Sequence, residues 1–346
     1  MQLLRTHNYP KSTKIIFTAL IAVSLIIFVI KMFKLRQGLT YEVPQADGTV
    51  QTVPVAFHDI QVPYIQLIPR YVIFYPWVLI TSIFAEISIL SLIISSVVSI
   101  SATKYMDKFW GYKEVVKFIL IVGLITNLIT VLITIICNVM RSDVKGMDKP
   151  LGGGISYYFA FLVVLKQWIP EHNIVLFQGL INFRVKHLPF ALLNIIIVWS
   201  ILISRSLYPA VPSISSFIIS YNYLRFHQSF ASDPILPITT ASGSSDQDSL
   251  VKGDASDTFQ LVEFFPAILK PYLSAVFNQI YELSVLIGIV TPFNDDNIEQ
   301  SNIRAQKRFE QVNQTQKSVA NSVAERRRQV ALQVIEDRIN KESRAN

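Results

Sequence analysis

Charged side chains are scarce in this chain. Asp, Glu, Lys and Arg make up 16% of its 346 residues, against 51% hydrophobic ones, where a soluble domain carries about 25% charge. With a mean hydropathy of +0.41, this excludes an ordinary soluble globule and points to an integral membrane protein. Cysteine is nearly absent: Cys137 stands alone inside an apolar run. No disulfide within the chain and no cysteine metal site can therefore form. His7, His58, His172, His187 and His227 are scattered, with no pair at i,i+4 spacing, so neither a metal nor a cofactor is expected. The net charge of +7 lies mostly in loops and tails, which bears on topology and not on nucleic acid.

What the chain has in place of charge is apolar runs of span length. A core of about 30 Å needs about 20 apolar residues in a helix. Spans are expected at 15–33, 78–103, 118–140, 151–167, 188–204 and 207–225. No small-x-small cleavage site follows the first, which reads as an uncleaved anchor with the stems of Lys31 and Lys34 snorkelling to the interface. Residues 37–75 carry Pro44, Pro54, Pro63 and Pro69 and form the longest loop between spans. Lysine and arginine concentrate in the N-terminus, 104–117, 166–187 and after Arg225, which predicts both termini in the cytosol. The fold class is all-α: a polytopic six-helix bundle with a cytosolic helical tail.

After Phe230 the composition changes. Residues 231–257 read as an acidic flexible linker. Residues 258–293 place apolar positions on one helical face and Ser274, Asn278 and Glu282 on another, the spacing of an amphipathic membrane-associated helix. Residues 294–346 are a polar, basic tail. Its last part aligns Leu332, Ile335 and Ile339 behind Arg326, Arg327 and Arg328, the pattern of a basic amphipathic helix that is either a solvated helix, a coiled-coil partner-binding site or an anionic-lipid contact.

Two features inside the bundle invite a functional reading. The fourth span is short and opens with Gly152, Gly153 and Gly154, followed by Ser156. Such small residues let helices approach closely, and packing or client contact is the expected role. Glu86 is the one acid in an apolar segment, and an ionisable group there is a functional candidate by default. Its position near the non-cytosolic interface also fits a structural role.

Six spans, a long proline-containing first loop, the Trp77-Val-Leu-Ile-Thr-Ser-Ile-Phe stretch, the Trp110-Gly111 pair and a glycine-led fourth helix resemble the rhomboid-like superfamily. Leu165-Lys-Gln, Tyr223-Leu-Arg-Phe-His-Gln228, Phe264-Phe-Pro-Ala-Ile-Leu-Lys-Pro271 and Glu325-Arg-Arg-Arg-Gln-Val-Ala-Leu332 resemble, more closely, the transmembrane protein 115 family of Golgi rhomboid-like proteins. That resemblance implies a non-catalytic scaffold in retrograde Golgi-to-ER transport. Its partners would be membrane lipids, transmembrane clients and a second copy of itself. Through the tail it would reach the conserved oligomeric Golgi complex and coat components.

Active rhomboids place serine in Gly-x-Ser-Gly of the fourth span and histidine in the sixth. Here the tetrad reads Gly153-Gly154-Ile155-Ser156, so isoleucine holds the nucleophile position. One residue is about 100° around a helix, which turns Ser156 away. The sixth span holds no histidine, and His227 lies past its end. A hydroxyl without a base is a weak nucleophile, so a pseudoprotease is expected. A protease with displaced machinery and a small-solute transporter are the alternatives.

Overall fold

The computed structural model describes residues 9–38, 40–44, 50–55, 57, 59–143, 145–169, 173–176, 181–230 and 251–310, with isolated positions between 314 and 333. The chain divides into two compact units. The first holds Met1–Leu165 and His187–Gly253, the second Lys166–Lys186 and Asp254–Asn346.

In the first unit, helix α1 (Lys11–Arg36) is followed by an antiparallel ribbon, β1 (Thr40–Pro44) with β2 (Val50–Pro54). A short helix α2 (Val78–Thr81) then leads to α3 (Ile89–Trp110) and α4 (Tyr112–Arg141). Helices α5 (Ile155–Trp168), α6 (Leu188–Trp199) and α7 (Ala210–Asn222) complete the bundle, the last turn of α5 belonging to the second unit. A second ribbon, within the second unit, pairs β3 (Asn173–Leu176) with β4 (Ile181–Arg184), and a third, in the first unit, pairs β5 (Ser229–Phe230) with β6 (Val251–Lys252). Among the described residues, α1, α3, α4 and the run Val185–Ser204 are long and apolar enough to cross a membrane. The protein is a polytopic helical membrane protein.

The second span departs from the uninterrupted 78–103 helix expected from hydropathy. Helix α2 passes through a tight turn at Ser82–Phe84, Ala85 is extended, and α3 starts only at Ile89. Ser88 caps α3 reciprocally with Ser91, an arrangement that satisfies two otherwise orphaned backbone groups. Average hydropathy cannot detect such a break, because the residues around it are as apolar as those of a helix.

At the other end of α3, Gly111 is the only residue between α3 and α4, with φ +77°. That left-handed conformation suits glycine, which gives the Trp110-Gly111 pair its physical reason.

Helix α4 carries the bundle's polar seam. Thr126, Asn127, Thr130, Thr134 and Asn138 are buried along it. Asn127 Nδ2 donates to Leu79 O at 2.9 Å and to Ser82 Oγ at 3.0 Å, fastening α2 to α4. In an apolar surround such side-chain bonds and close packing hold helices together, because lipid supplies no hydrophobic drive between them. Helix α7 packs on α4 with Ser213, Ser215, Ser216 and Ser220 buried, as its hydroxylated sequence predicts. Helix α6 and the wide turn after it, Ser200–Ser204, expose Ile195, Val198, Ile201, Leu202 and Ile203.

The long first loop is not merely interfacial. Val62 packs with Ile27 and Ala85, and Leu67 packs with Val78, Val131 and Leu151. Lys34 Nζ donates to Gln61 O at 2.9 Å, but Lys31 is 2% exposed, its ammonium 5.6 Å from the Phe57 ring centroid. Lys31 therefore does not snorkel: an aromatic face takes the place of solvent.

Residues 251–253, at the end of the first unit, and 254–257, in the second, belong to folded structure and not to a flexible linker. Asp254, Ala255 and Ser256 are buried, and Ala255 N–H donates to Ser301 Oγ. The rest of the expected 231–257 linker, residues 231–250, lies outside the described residues. The 258–293 segment is two short turns, Asp257–Phe259 and Leu261–Phe264, followed by α8 (Lys270–Leu286). Helix α8 exposes Tyr272, Val276, Ile280, Leu283 and Leu286, and none of its own residues is buried. Residues 295–310 form a further helix, α9. Its Ser301 is 2% exposed, so the tail's first stretch is packed structure and not a solvated extension.

Candidate functional site

Helix α5 is 14 residues long, about 21 Å at about 1.5 Å per residue, and the residues before it decide what can approach its start. The glycines were expected inside the span, but the helix begins at Ile155 and they form its entry. Gly152 has φ +101° and Gly153 φ +87°, a region that favours glycine. Space is equally restrictive. A Cβ on Gly152 would lie 3.0 Å from Ser82 Cβ, one on Gly153 2.9 Å from Glu86 Oε2, and one on Gly154 2.6 Å from Ser95 Oγ. The glycines thus admit the break between α2 and α3 to the start of α5.

Glu86 sits in that break, 8% exposed. Its Oε1 accepts the Gly154 N–H at 2.7 Å and the Ser95 hydroxyl, and Ser95 Oγ also bonds the Tyr158 hydroxyl. Glu86 N–H donates to Ser24 Oγ at 3.3 Å, and Ser24 Oγ donates to Phe84 O at 3.1 Å. The N-terminus of a helix leaves unsatisfied N–H groups with partial positive charge. A carboxylate there is both a hydrogen-bond acceptor and a counter-charge. Tyr208 donates to Gly152 O at 2.7 Å, and Gly153 N–H donates to Ser82 O at 2.7 Å. Glu86 was placed by sequence within a helical span near water; it is instead dry and bonded, because the helix breaks where it stands.

Ser156, fully buried, donates through Oγ to Gly153 O at 2.9 Å. That bond directs the hydroxyl back along its own helix start. The structure therefore brings Gly152, Gly153, Gly154, Ser156 and Glu86 into one cluster, whose bonds are those of a fastened helix entry.

A second cluster, in the second unit, escaped sequence reasoning. Asp254 Oδ2 accepts from Arg308 at 2.8 Å and from Gln167 Nε2 at 2.8 Å, and Asp254 Oδ1 accepts the Ser256 N–H at 3.2 Å. Burial pushes the Asp254 carboxyl pKa up, but the Arg308 charge and the bonds from Ser256, Arg308 and Gln167 outweigh it. The net effect holds Asp254 well below the usual carboxylate range. The Arg308 guanidinium also lies 5.5 Å from the Trp168 ring. Beside this pair, Lys166 is fully buried: Nζ donates to Thr258 O at 2.5 Å and lies 4.2 Å from the Phe264 and 5.2 Å from the Phe259 ring centroid. Glu263 bonds Lys270 at 2.6 Å. Burial raises the Glu263 pKa, but Lys270, Lys186 and Lys166 together lower it further. Lys166-Gln167 and Phe264 stood out in the sequence only as motif residues. The signal that could have found Asp254 was its place at the end of the Ser/Asp-rich stretch, where low complexity gives way to Phe259 and Phe264.

Of the tail residues, Arg328 and Leu332 are exposed, Leu332 at 52%. Arg326, Arg327, Ile335 and Ile339 lie outside the described residues.

The family described as "Eukaryotic integral membrane protein (DUF1751)" matches residues 14–341. The chain is 30% identical over 345 residues, 97% of its length, to a "Transmembrane protein 115 homolog" of Saccharomyces cerevisiae, 94% of which is covered. It is 28% identical over 244 residues to "Rhomboid-like protein 19" of Arabidopsis thaliana, covering 70% of this chain and 72% of that protein. No solved structure gives a significant match.

Proposed function

This chain belongs to the transmembrane protein 115 family of rhomboid-like eukaryotic integral membrane proteins, and from that premise we propose that it is a non-catalytic membrane scaffold. In this reading the helical bundle holds transmembrane clients, and the cytosolic tail recruits trafficking machinery. The site of action is the Golgi membrane, the process is retrograde transport to the ER, and the tail's partners are the conserved oligomeric Golgi complex and coat components. Both termini face the cytosol.

The observation that carries the non-catalytic part is the bonding at the start of α5. Ser156 donates to Gly153 O, and the nearby carboxylate, Glu86, accepts from Gly154 N–H and Ser95. A serine nucleophile needs a base to take its proton, and the Ser156 proton is engaged by a backbone carbonyl. Isoleucine stands where active rhomboids have their serine.

Proximity labelling in cells, with imaging, tests the scaffold. Three chains are compared: the full chain, one ending at Glu310, and the full chain with Ser156→Ala. Ending at Glu310 keeps Asp254, Ser301 and Arg308 together, whereas ending at Phe230 would strip Lys166 and Gln167 of their buried partners. The expected result is Golgi tethering and coat proteins labelled by the full chain and by Ser156→Ala, and lost from the shorter chain. Loss of function in well-folded Ser156→Ala would instead point to catalysis. Equal labelling by the full and shortened chains would reject the tail as the recruiting element.

A further inference from the structure

The N-terminal parts of α1 and α4 border an open groove of about 470 Å³ lined by Ile15, Tyr112, Lys113, Val116, Lys117, Leu120 and Ile121, a volume within the range of about 300–1,000 Å³ common for ligand sites. Its lining combines apolar and cationic side chains. Ile15, Val116, Leu120 and Ile121 make an apolar floor, and Lys113 and Lys117 stand exposed one helical turn apart on α4. Residues at i and i+4 lie on one helix face, so both lysines border the groove from the same side of α4. Lys11, its ammonium 5.6 Å from the Tyr112 ring, and exposed Lys14 add positive charge from α1. The acid on this face, Glu114, is engaged by the Tyr223 hydroxyl at 2.8 Å and by Lys117 at 3.7 Å. Positive charge is in excess around the groove, whose lining is almost wholly apolar.

We infer that this groove binds an anionic glycerophospholipid, its phosphate at Lys113 and Lys117 and an acyl chain along Val116, Leu120 and Ile121. Charge complementarity selects an anion, and the apolar floor selects a lipid over free phosphate. The position supports it: α1 and α4 are both long and apolar enough to cross a membrane, and the lysines cluster at their N-terminal ends, as residues facing a cytosolic leaflet do. Lysines near a charged leaflet attract anionic lipids with about 1 kcal/mol each.

Native mass spectrometry of the full chain in neutral detergent tests this, titrating phosphatidylserine against phosphatidylcholine with the same acyl chains. Wild type is expected to prefer one phosphatidylserine about tenfold or more, and the exposed-site variant Lys113→Gln/Lys117→Gln to retain less than about twofold preference. Leu120→Trp, which fills the groove, is expected to weaken both lipids. Absence of preference in wild type, or its survival in the double lysine variant, overturns the proposal. So does displacement of the lipid by millimolar inorganic phosphate, which would mark a free-anion site. Unchanged lipid binding in Leu120→Trp would also overturn it by removing the acyl seat.

Discussion

The ion pair of Asp254 and Arg308 allows a worked prediction. Asp254 is 2% and Arg308 13% exposed at the side chain, 2.8 Å apart. Removing one member of a buried pair costs about 3–5 kcal/mol, because the other is left as an uncompensated buried charge. The two removals are not equivalent. Asp254→Ala leaves a guanidinium that reaches solvent and lies over Trp168, so the lower end, about 3 kcal/mol, applies. Arg308→Ala leaves the drier carboxylate and falls at the upper end, about 5 kcal/mol. The reporters are the Ala255, Ser256 and Asp257 amides, which donate to Ser301, Asp254 and Asn302. Hydrogen exchange at these amides in the full chain should accelerate about a hundredfold or more in Asp254→Ala, since about 1.4 kcal/mol is a factor of ten. It should accelerate further in Arg308→Ala. The pH dependence follows from the sign of the shift. Asp254 titrates below its ordinary value of 3.8, so the pair's contribution is complete above that value and is lost as pH falls beneath it. Exchange corrected for its intrinsic rate should therefore hold steady down to about pH 4 and then rise. Protection within about threefold of wild type in both variants would refute the reasoning, since even about 1 kcal/mol exceeds that.

Six further substitutions probe the other contacts. Gly153→Ala combines a φ of +87° with a Cβ 2.9 Å from Glu86 and should cost about 2 kcal/mol or more in unfolding from mixed micelles. Gly38→Ala, equally left-handed but with open space around it, should cost only the backbone part, about 1 kcal/mol; equal losses would dismiss the steric argument. Glu86→Gln keeps an acceptor for Gly154 N–H and loses only the charge at the helix start, about 1 kcal/mol. Glu86→Ala strands that N–H, while Ser95 keeps Tyr158 as a partner, and should cost about 1–3 kcal/mol by the same assay; identical stabilities would remove the capping role. Lys166→Met should protect the Phe259 and Phe264 contacts better than Lys166→Ala in limited proteolysis of the second unit, because the stem volume persists while the charge goes. Equal cleavage would show that packing on the rings is not what holds the turn.

The helical membrane class was determined by sequence alone. Hydropathy is a sum over residues, and runs such as Phe118–Met140 satisfy the length of a bilayer without reference to anything else in the chain. The hydroxyl-rich composition of α7 foretold burial for a similar reason: lipid offers its serines no partners, so they turn inward. The glycines before α5 were visible as an anomaly, and the order Gly153-Gly154-Ile155-Ser156 was visible as letters. Only tertiary structure decided what these features mean. That Glu86 leaves the helix, caps α5 and is fenced by Gly153 and Gly154 depends on residues 68 apart in sequence and on a backbone break that no average reveals. That Asp254 closes the second unit, and is not linker, depends on Arg308 and Gln167 lying 54 and 87 residues away. Local sequence fixes whether a segment prefers water or lipid; which buried polar group finds which partner is settled only when the chain has closed around it.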